Sequence, residues 1–224
     1  KEIIEKLEEL DLKDNTIIVF TSDHGDFMGE HGMFVKGGVF YDCLVKVPLI
    51  IAWNNGDFDQ GVKEKSVVST IDIIPTLLHL QGIGDFNDNG IGWKKNNESK
   101  KYILSKEDIR NFQGHLLPTI TKNKGKNIAF SEYGAGGPKF QFEDFKKFTP
   151  TRGYRTLLET LWAREAEGRR KMVRTEKWKY ITDSTGDIDE LYDLEKDPWE
   201  LKNLSKNNEY KETIIKMKDF LLNW

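Results

Sequence analysis

Two side chains with the chemistry of metal ligands stand together near the start of this 224-residue sequence. Asp23 and His24 are adjacent, and they follow the β-branched apolar run 16–20, which predicts a buried strand. Ligands of open α/β sheets bind outside the carboxyl ends of the strands. The pair could bind a divalent cation, because Asp suits hard cations and His shifts the preference toward manganese or zinc. It also fits a turn in which Asp23 caps the backbone and His24 bonds to a carbonyl group.

Further polar side chains follow in the segment 21–48. Gly25 lets the chain bend sharply and lets a ligand approach the backbone. The next candidates for acid–base or anion-binding chemistry are Asp26, Glu30, His31 and Lys36. Because these groups come directly after a predicted buried strand, the segment is the candidate site of the chain.

The elements that must position this segment follow from hydrophobic periodicity. Apolar residues at helical spacing predict one amphipathic helix at the start of the chain and another at its end. The second helix has its apolar stripe at Tyr210, Ile214, Met217 and Leu221. Residues 47–53 repeat the apolar strand pattern of 16–20. Ser69 and Asp72 have the spacing of a capping box and begin a predicted helix over 69–83.

Shorter segments fill the second half of the chain. Residues 127–133 predict a third strand, and an antiparallel meander is predicted at 171–175, 178–182 and 190–194. A helix is predicted over 157–167, and 84–101 has the composition of a loop. The class is α/β, with the apolar strands in a mostly parallel sheet. A typical sheet has about four to six strands, so either the fold is small and mixed or further strands are supplied from elsewhere.

Several segments, in this order, resemble the sulfatase family of the alkaline phosphatase superfamily. The first are T-S-D-H-G-D, G-E-H-G, a lysine twelve positions after His24, V-P-L-I-I from Val47, and D-I-I-P-T-L-L from Asp72. Later ones are Ser131-Glu132, Met172-Val-Arg-Thr with Lys179-Tyr180, and Glu190-Leu-Tyr-Asp-Leu. The histidine after the aspartate and the spacing to Lys36 look most like the choline-sulfatase and iduronate-2-sulfatase branches. The resemblance covers essentially the whole chain.

This resemblance implies a fold and roles for individual residues. Residues 1–135 would be the C-terminal part of an alkaline-phosphatase-like α/β sandwich, and 136–224 a subdomain with the antiparallel meander and the terminal helix. Asp23 and His24 would supply half of the site for one divalent metal, Ca²⁺ first, with Mn²⁺ or Zn²⁺ as alternatives. Lys36 would contact the sulfate ester, which makes Lys36 and His24 the catalytic candidates. His31 would join Lys36 in binding the substrate, or orient the site together with Asp26.

The nucleophile of that family has no counterpart in this sequence. Members use a formylglycine made from Cys or Ser in C/S-x-P-S/T-R, whereas the single cysteine, Cys43, lies in Y-D-C-L-V. Residues 148–152 read F-T-P-T-R, with phenylalanine at the nucleophile position. Cys43 is expected to be a small buried apolar residue. We therefore expect the formylglycine and the other metal ligands in a missing N-terminal portion, and we expect the chain alone to be inactive and to bind metal weakly.

Composition argues against several other classes of protein. Lys and Arg number 34 against 37 Asp and Glu, and this near balance gives no electrostatic footprint for nucleic acid. No apolar run approaches the ~18 residues of a membrane span. With 38% hydrophobic residues the chain is expected to be folded and soluble. The compartment and the sulfated substrate, a small molecule or a sugar, are not indicated.

Two other functions fit the same residues. A phosphonate monoester or phosphodiester hydrolase of the same superfamily would also place His beside Asp for a transition metal. A non-catalytic module that binds a partner chain or a sulfated ligand would be folded and monodisperse by itself, whereas part of an enzyme would expose an apolar sheet edge. Residues that could line a pocket or be solvated surface are His115, Arg152, Tyr154, Arg164 and Arg169.

Overall fold

The computed structural model describes residues 1–81, 85–87, 90–92, 113–121, 126–134, 170–183 and 189–224. The chain divides into two compact units. The first contains Lys1–Thr21 and Pro48–Ala129, and the second contains Ser22–Val47 and Phe130–Trp224. The candidate segment therefore belongs to the same unit as the C-terminal part of the chain. The predicted helix over 157–167 lies outside the described residues.

Short helices and strands are interspersed along the described part of the chain. In chain order they are α1 (Glu2–Glu9), β1 (Ile18–Thr21), β2 (Phe27–Met28), β3 (Phe34–Val35), α2 (Asp42–Val45), β4 (Leu49–Ala52), α3 (Ile73–Leu80), β5 (Asp85–Asn87), β6 (Gly90–Gly92), α4 (Pro118–Thr121), β7 (Ile128–Tyr133), β8 (Arg170–Thr175), β9 (Trp178–Asp183), β10 (Glu190–Asp193) and α5 (Lys211–Leu222). None of these helices has the length and hydropathy of a membrane span.

The first unit contains a two-stranded sheet made of β1 and β4. The strands run antiparallel, with Val19 opposite Ile51 and Phe20 opposite Ile50. The expectation of parallel pairing is wrong for these two strands, because an unbroken apolar run indicates burial and does not by itself determine strand direction. The α/β class is confirmed, since helices and strands are interspersed along the described part of this unit.

Part of the segment predicted to be a loop is a hairpin. β5 and β6 pair antiparallel within 84–101, and Phe86 is opposite Ile91. The polar and glycine-rich composition around these two apolar residues concealed the strands, which are three residues each.

An apolar surface of the first unit is exposed. Phe20 and Ile50 are each 59% exposed, and residues opposite each other in an antiparallel pair point to the same face of the sheet. Ile3 of α1 is 78% exposed, and Leu10, which directly follows α1, is 54% exposed. Exposed apolar side chains of this kind are typical of a surface that contacts other polypeptide.

The predicted capping box is present at the start of α3. The backbone N–H of Ser69 donates to Asp72 Oδ2 over 2.8 Å, and the Ser69 side chain accepts from the backbone of Asp72. Asp72 Oδ1 also accepts the N–H of His115 over 2.7 Å. The hydroxyl of Thr76 donates to the carbonyl of Asp72 over 2.6 Å and accepts the N–H of Leu117 over 3.0 Å. The Asp and Thr of D-I-I-P-T therefore join the segment 115–117 to the helix.

Replacing Thr76 by valine is expected to lower the free energy of unfolding by about 1–3 kcal/mol, because the buried N–H of Leu117 loses its acceptor. Thr76 is 0% exposed, so water cannot replace the hydroxyl. Urea denaturation measures the loss. Thr70→Val, at an exposed position just before α3, is the control and should change the stability by less than about 0.5 kcal/mol. Equal losses in both variants would contradict the role given to Thr76.

A four-stranded sheet in the order β10-β9-β8-β7 forms the second unit. β8 and β10 both pair antiparallel with β9, so the predicted meander is confirmed. Val173 and Leu191 are both opposite Tyr180, and all three are 0% exposed. The predicted third strand is β7, which lies next to β8 at the edge of this sheet.

The terminal helix α5 packs against β8 and β9. Met217, in the middle of its predicted stripe, is 1% exposed. A second buried cluster contains Phe40, Met172, Ile181 and Tyr192, and Tyr41 and Val45 pack against it. The segment that carries the candidate site is therefore anchored in the core of the second unit.

Candidate active site

The candidate segment folds as a small hairpin followed by a short helix. β2 and β3 pair antiparallel, with Phe27 opposite Val35 and Met28 opposite Phe34. The turn between them places His31 at φ 52°, a left-handed conformation. Lys36 follows β3 directly, so the position of the hairpin determines the position of the Lys36 backbone.

Asp23 is an exposed carboxylate whose ionised form is stabilised by its neighbours. Its Oδ1 accepts the backbone N–H of His24 over 2.9 Å and the hydroxyl of Ser22 over 3.3 Å. The backbone hydrogen bond from His24 lowers the pKa of Asp23 below its ordinary value. An ionised carboxylate is the form that binds a cation.

His24 makes contacts that define which of its nitrogens carries a proton. Nδ1 lies 2.8 Å from the carbonyl oxygen of Gly25, and Nε2 lies 2.7 Å from Nζ of Lys36. A carbonyl only accepts, so Nδ1 donates, and the ammonium of Lys36 donates to Nε2. The backbone therefore holds the tautomer with its lone pair on Nε2, which accepts from Lys36 in this structure and which a metal ion would take in place of Lys36.

Asp23 and His24 present two donor atoms close together. Asp23 Oδ2 lies 3.6 Å from His24 Nε2. A carboxylate oxygen and an imidazole nitrogen at this separation fit two positions in the coordination of one divalent ion. Within the described residues, no group of three or more His, Cys, Asp or Glu side chains could hold a metal.

Gly25 lies where no side chain has room. Its N–H donates to the carbonyl of Leu44 over 2.7 Å, and a Cβ on Gly25 would lie 1.9 Å from the carbonyl oxygen of Cys43. The glycine after His24 therefore lets the segment of Asp23 and His24 pack on helix α2. Cys43 lies within α2, half-buried, and burial raises the pKa of its thiol.

Replacing Gly25 by alanine is expected to lower the free energy of unfolding by about 1–3 kcal/mol, because a backbone carbonyl must move to admit the methyl group. Thermal unfolding followed by circular dichroism measures the change. Gly37→Ala is the matched control, since a Cβ at Gly37 would meet nothing within 4 Å. If the two variants unfold at the same temperature, the close approach of Gly25 to Cys43 is not essential.

His31 lies against aromatic rings. Its imidazole stacks on Tyr41, with ring centroids 3.8 Å apart and 15° between the planes, and Phe27 meets both rings edge-on. In the same turn, Glu30 accepts the N–H of Met28 over 2.6 Å, and this bond lowers the pKa of Glu30. The described contacts thus join Asp23, His24 and Lys36, and they place His31 on Tyr41.

Other polar residues named from the sequence lie elsewhere. Asp26 is exposed. His115 is exposed in the first unit, where its backbone N–H binds Asp72. Four further candidates lie outside the described residues: Arg152, Tyr154, Arg164 and Arg169.

Sequence reasoning missed a buried ionic cluster next to this segment. Lys179 is 0% exposed and lies 2.5 Å from Oδ1 of Asp42 and 2.5 Å from Oε1 of Glu200. The available signal was a lysine between the aromatic residues Trp178 and Tyr180 of strand β9. A buried lysine needs anionic partners, but no local pattern indicates which carboxylates they are.

Two family models match the sequence. The sulfatase model matches residues 1–83, and the model of the C-terminal region of N-sulphoglucosamine sulphohydrolase matches residues 160–224. Arylsulfatase K of Homo sapiens is 28% identical over 91% of this chain, and delta 4,5-hexuronate-2-O-sulfatase of Bacteroides thetaiotaomicron is 28% identical over 92%. The chain is similar to sulfatases in both of these regions. It covers 30% and 34% of those two proteins, so it spans about a third of their length.

Solved structures that align with this chain share its fold. The structure of a 2-O GAG sulfatase aligns with 99% of this chain and 38% of its own, with a TM-score of 0.67 and 25% identity. A phosphonate monoester hydrolase of Agrobacterium radiobacter aligns with 99% of this chain and 37% of its own, with a TM-score of 0.68 and 23% identity. The fold is therefore the α/β fold of the alkaline phosphatase superfamily, and the second likeness concerns the fold alone.

Proposed function

We propose that this chain is the C-terminal part of an enzyme that hydrolyses sulfate monoesters. The observation that carries the proposal is the contact of Lys36 Nζ with His24 Nε2 over 2.7 Å, beside the carboxylate of Asp23. It brings a cation for the sulfate group and two metal-ligand types together within a segment of fourteen residues, 23–36. Homologues that bear the name of sulfatases support this assignment.

The proposed roles follow from the chemistry of each side chain. Asp23 and His24 would hold one divalent metal, and the Gly25 carbonyl keeps the proton of His24 on Nδ1. Ca²⁺ is the proposed ion, with Mn²⁺ and Zn²⁺ as alternatives because one ligand is an imidazole. When bound, the metal would polarise the sulfuryl group. Lys36 donates to the ester oxygens and stabilises the charge on the leaving oxygen. His31 is proposed as a further contact to the substrate, a sulfated small molecule or sugar.

We also propose that a formylglycine nucleophile and the remaining metal ligands belong to an N-terminal portion of the same protein. The exposed apolar side chains of Phe20 and Ile50 support this, because a sheet face of that composition is stabilised by covering polypeptide. The division of the chain at residue 135 into a core part and a C-terminal subdomain stays a prediction.

The test uses the protein with whatever residues precede Lys1 in the native polypeptide. After chelation, Ca²⁺, Mn²⁺ and Zn²⁺ are added back separately, and hydrolysis of an aryl sulfate, an aryl phosphodiester and a phosphonate monoester is measured. The proposal predicts that the sulfate is turned over with the highest kcat/KM. Preference for either phosphorus ester would favour the alternative hydrolase.

The 224-residue chain alone provides a second comparison. We expect it to show no turnover and to bind metal weakly, because the proposed site has only two of its ligands. Turnover by the chain alone would overturn the proposed location of the nucleophile. A monodisperse chain, together with a complete protein that hydrolyses none of the three esters, would favour a non-catalytic binding module.

A further inference from the structure

The buried lysine of the second unit binds the backbone close to the candidate site. Lys179 Nζ donates to the carbonyl of Phe40 over 2.8 Å and to Oδ1 of Asp42 over 2.5 Å. It also pairs with Oε1 of Glu200 over 2.5 Å. Two of the three donors of the ammonium thus make hydrogen bonds, and the carboxylate of Glu200 adds an ion pair. Because Lys179 is 0% exposed, no water competes for these contacts.

Glu200 holds the same short segment from a second direction. Its Oε2 accepts the backbone N–H of Asp42 over 2.6 Å, and the residue is 3% exposed. Arg174 adds a second cation, 3.4 Å from Oδ2 of Asp42. Two carboxylates and two cations thus balance in charge. The cluster fixes the backbone on both sides of Tyr41, at the carbonyl before it and at the N–H after it.

Tyr41, whose backbone is fixed by this cluster, contacts the hairpin of β2 and β3. Its ring stacks on His31 at 3.8 Å and meets Phe27 of β2 edge-on at 6.2 Å. His31 lies in the turn between β2 and β3 with φ 52°, a conformation that a non-glycine residue keeps only when its surroundings hold it. The aromatic stack is the described contact that holds this side chain.

We propose that Lys179 is a positioning residue for the candidate site: through Phe40, Asp42 and the ring of Tyr41 it sets the placement of the hairpin that carries His31 and ends at Lys36. The sheet that contains Lys179 then determines the position of Lys36, the proposed sulfate-binding lysine. The catalytic importance of the Lys36 position rests on the proposed function. The contacts from Lys179 through Tyr41 to the hairpin do not depend on it.

Amide hydrogen exchange, measured by mass spectrometry on the full chain with any native residues before Lys1, tests the connection. Tyr41→Leu removes the stack and leaves the ionic cluster intact. We expect exchange in 27–36 to become faster by about tenfold, the upper end of what an aromatic pair contributes, while 170–183 stays as in the wild type. Tyr41→Phe keeps the ring and should restore wild-type exchange in 27–36.

Lys179→Met tests the origin of the constraint. We expect faster exchange in 27–36 and in 40–45, whereas the control Lys218→Met, which loses an ion pair with Asp189 on the same unit, should leave 27–36 unchanged. Unchanged exchange of 27–36 in a folded Lys179→Met would overturn the proposal. If Lys179→Met does not fold, the Tyr41 variants test the last contact in the connection, and unchanged exchange of 27–36 in Tyr41→Leu, or equal acceleration in Tyr41→Phe, would likewise overturn it. If the wild-type protein hydrolyses no sulfate ester, the proposed function is wrong, but the hydrogen-exchange results still test the positioning role of Lys179.

Discussion

Replacing Lys36 by alanine in the complete protein is expected to lower kcat for an aryl sulfate by about 10²–10³-fold, which is the usual loss when one donor to a developing negative charge is removed. Lys36 is exposed in the described structure and its ammonium lies on the Nε2 of His24. The side chain therefore contributes little to folding, and its loss should appear in the reaction. Steady-state kinetics that separate kcat from KM provide the measurement.

A matched lysine shows whether the loss is specific. Lys63 is exposed in the first unit, and Lys63→Ala should leave both kinetic parameters unchanged. Unfolding of Lys36→Ala should stay within about 0.5 kcal/mol of the wild type, as for other surface changes. Full activity in Lys36→Ala would show that the lysine does not contact the sulfate. A large loss of stability would instead place its role in the fold.

Local patterns predicted much of the secondary structure. The meander over β8, β9 and β10 and the helix α5 were found because alternation and helical spacing are properties of neighbouring residues. The capping box of Ser69 and Asp72 was found for the same reason. At the candidate site, the twelve-position spacing from His24 to Lys36 turned out to join two side chains in direct contact.

Long-range features were not predictable in this way. The direction of β4 relative to β1 depends on the route of the chain between them, which the apolar runs do not encode. Asp42 meets Lys179 and Glu200 across sequence separations of 137 and 158 positions. A single sequence shows a lysine between two aromatic residues of a strand, but its partners become identifiable only when the fold brings them together.

Replacing Lys179 by methionine is expected to lower the free energy of unfolding by about 3–5 kcal/mol, because it leaves two carboxylates without their buried cation. Methionine has a similar length and is apolar, so the change removes the charge and three donors with little change in volume. Guanidinium denaturation measures the loss. Lys218→Met is the control, since the Lys218 side chain is 50% exposed and an exposed ion pair contributes about 1 kcal/mol or less.

The stability loss in Lys179→Met is expected to depend on pH through the carboxyl group of Asp42. Burial alone would raise the pKa of Asp42, but the charge and hydrogen bond of Lys179, followed by those of Arg174, hold it below its ordinary value of 3.8. A carboxyl group whose pKa is lowered by folding contributes stability above its unfolded-state pKa, and this contribution disappears as the pH falls through the folded-state value. The difference in unfolding free energy between wild type and Lys179→Met should therefore reach its full size above pH 3.8. It should become smaller as the pH falls below 3.8. A difference that stays constant through this range would show that the variant does not act through the ionised carboxylate of Asp42.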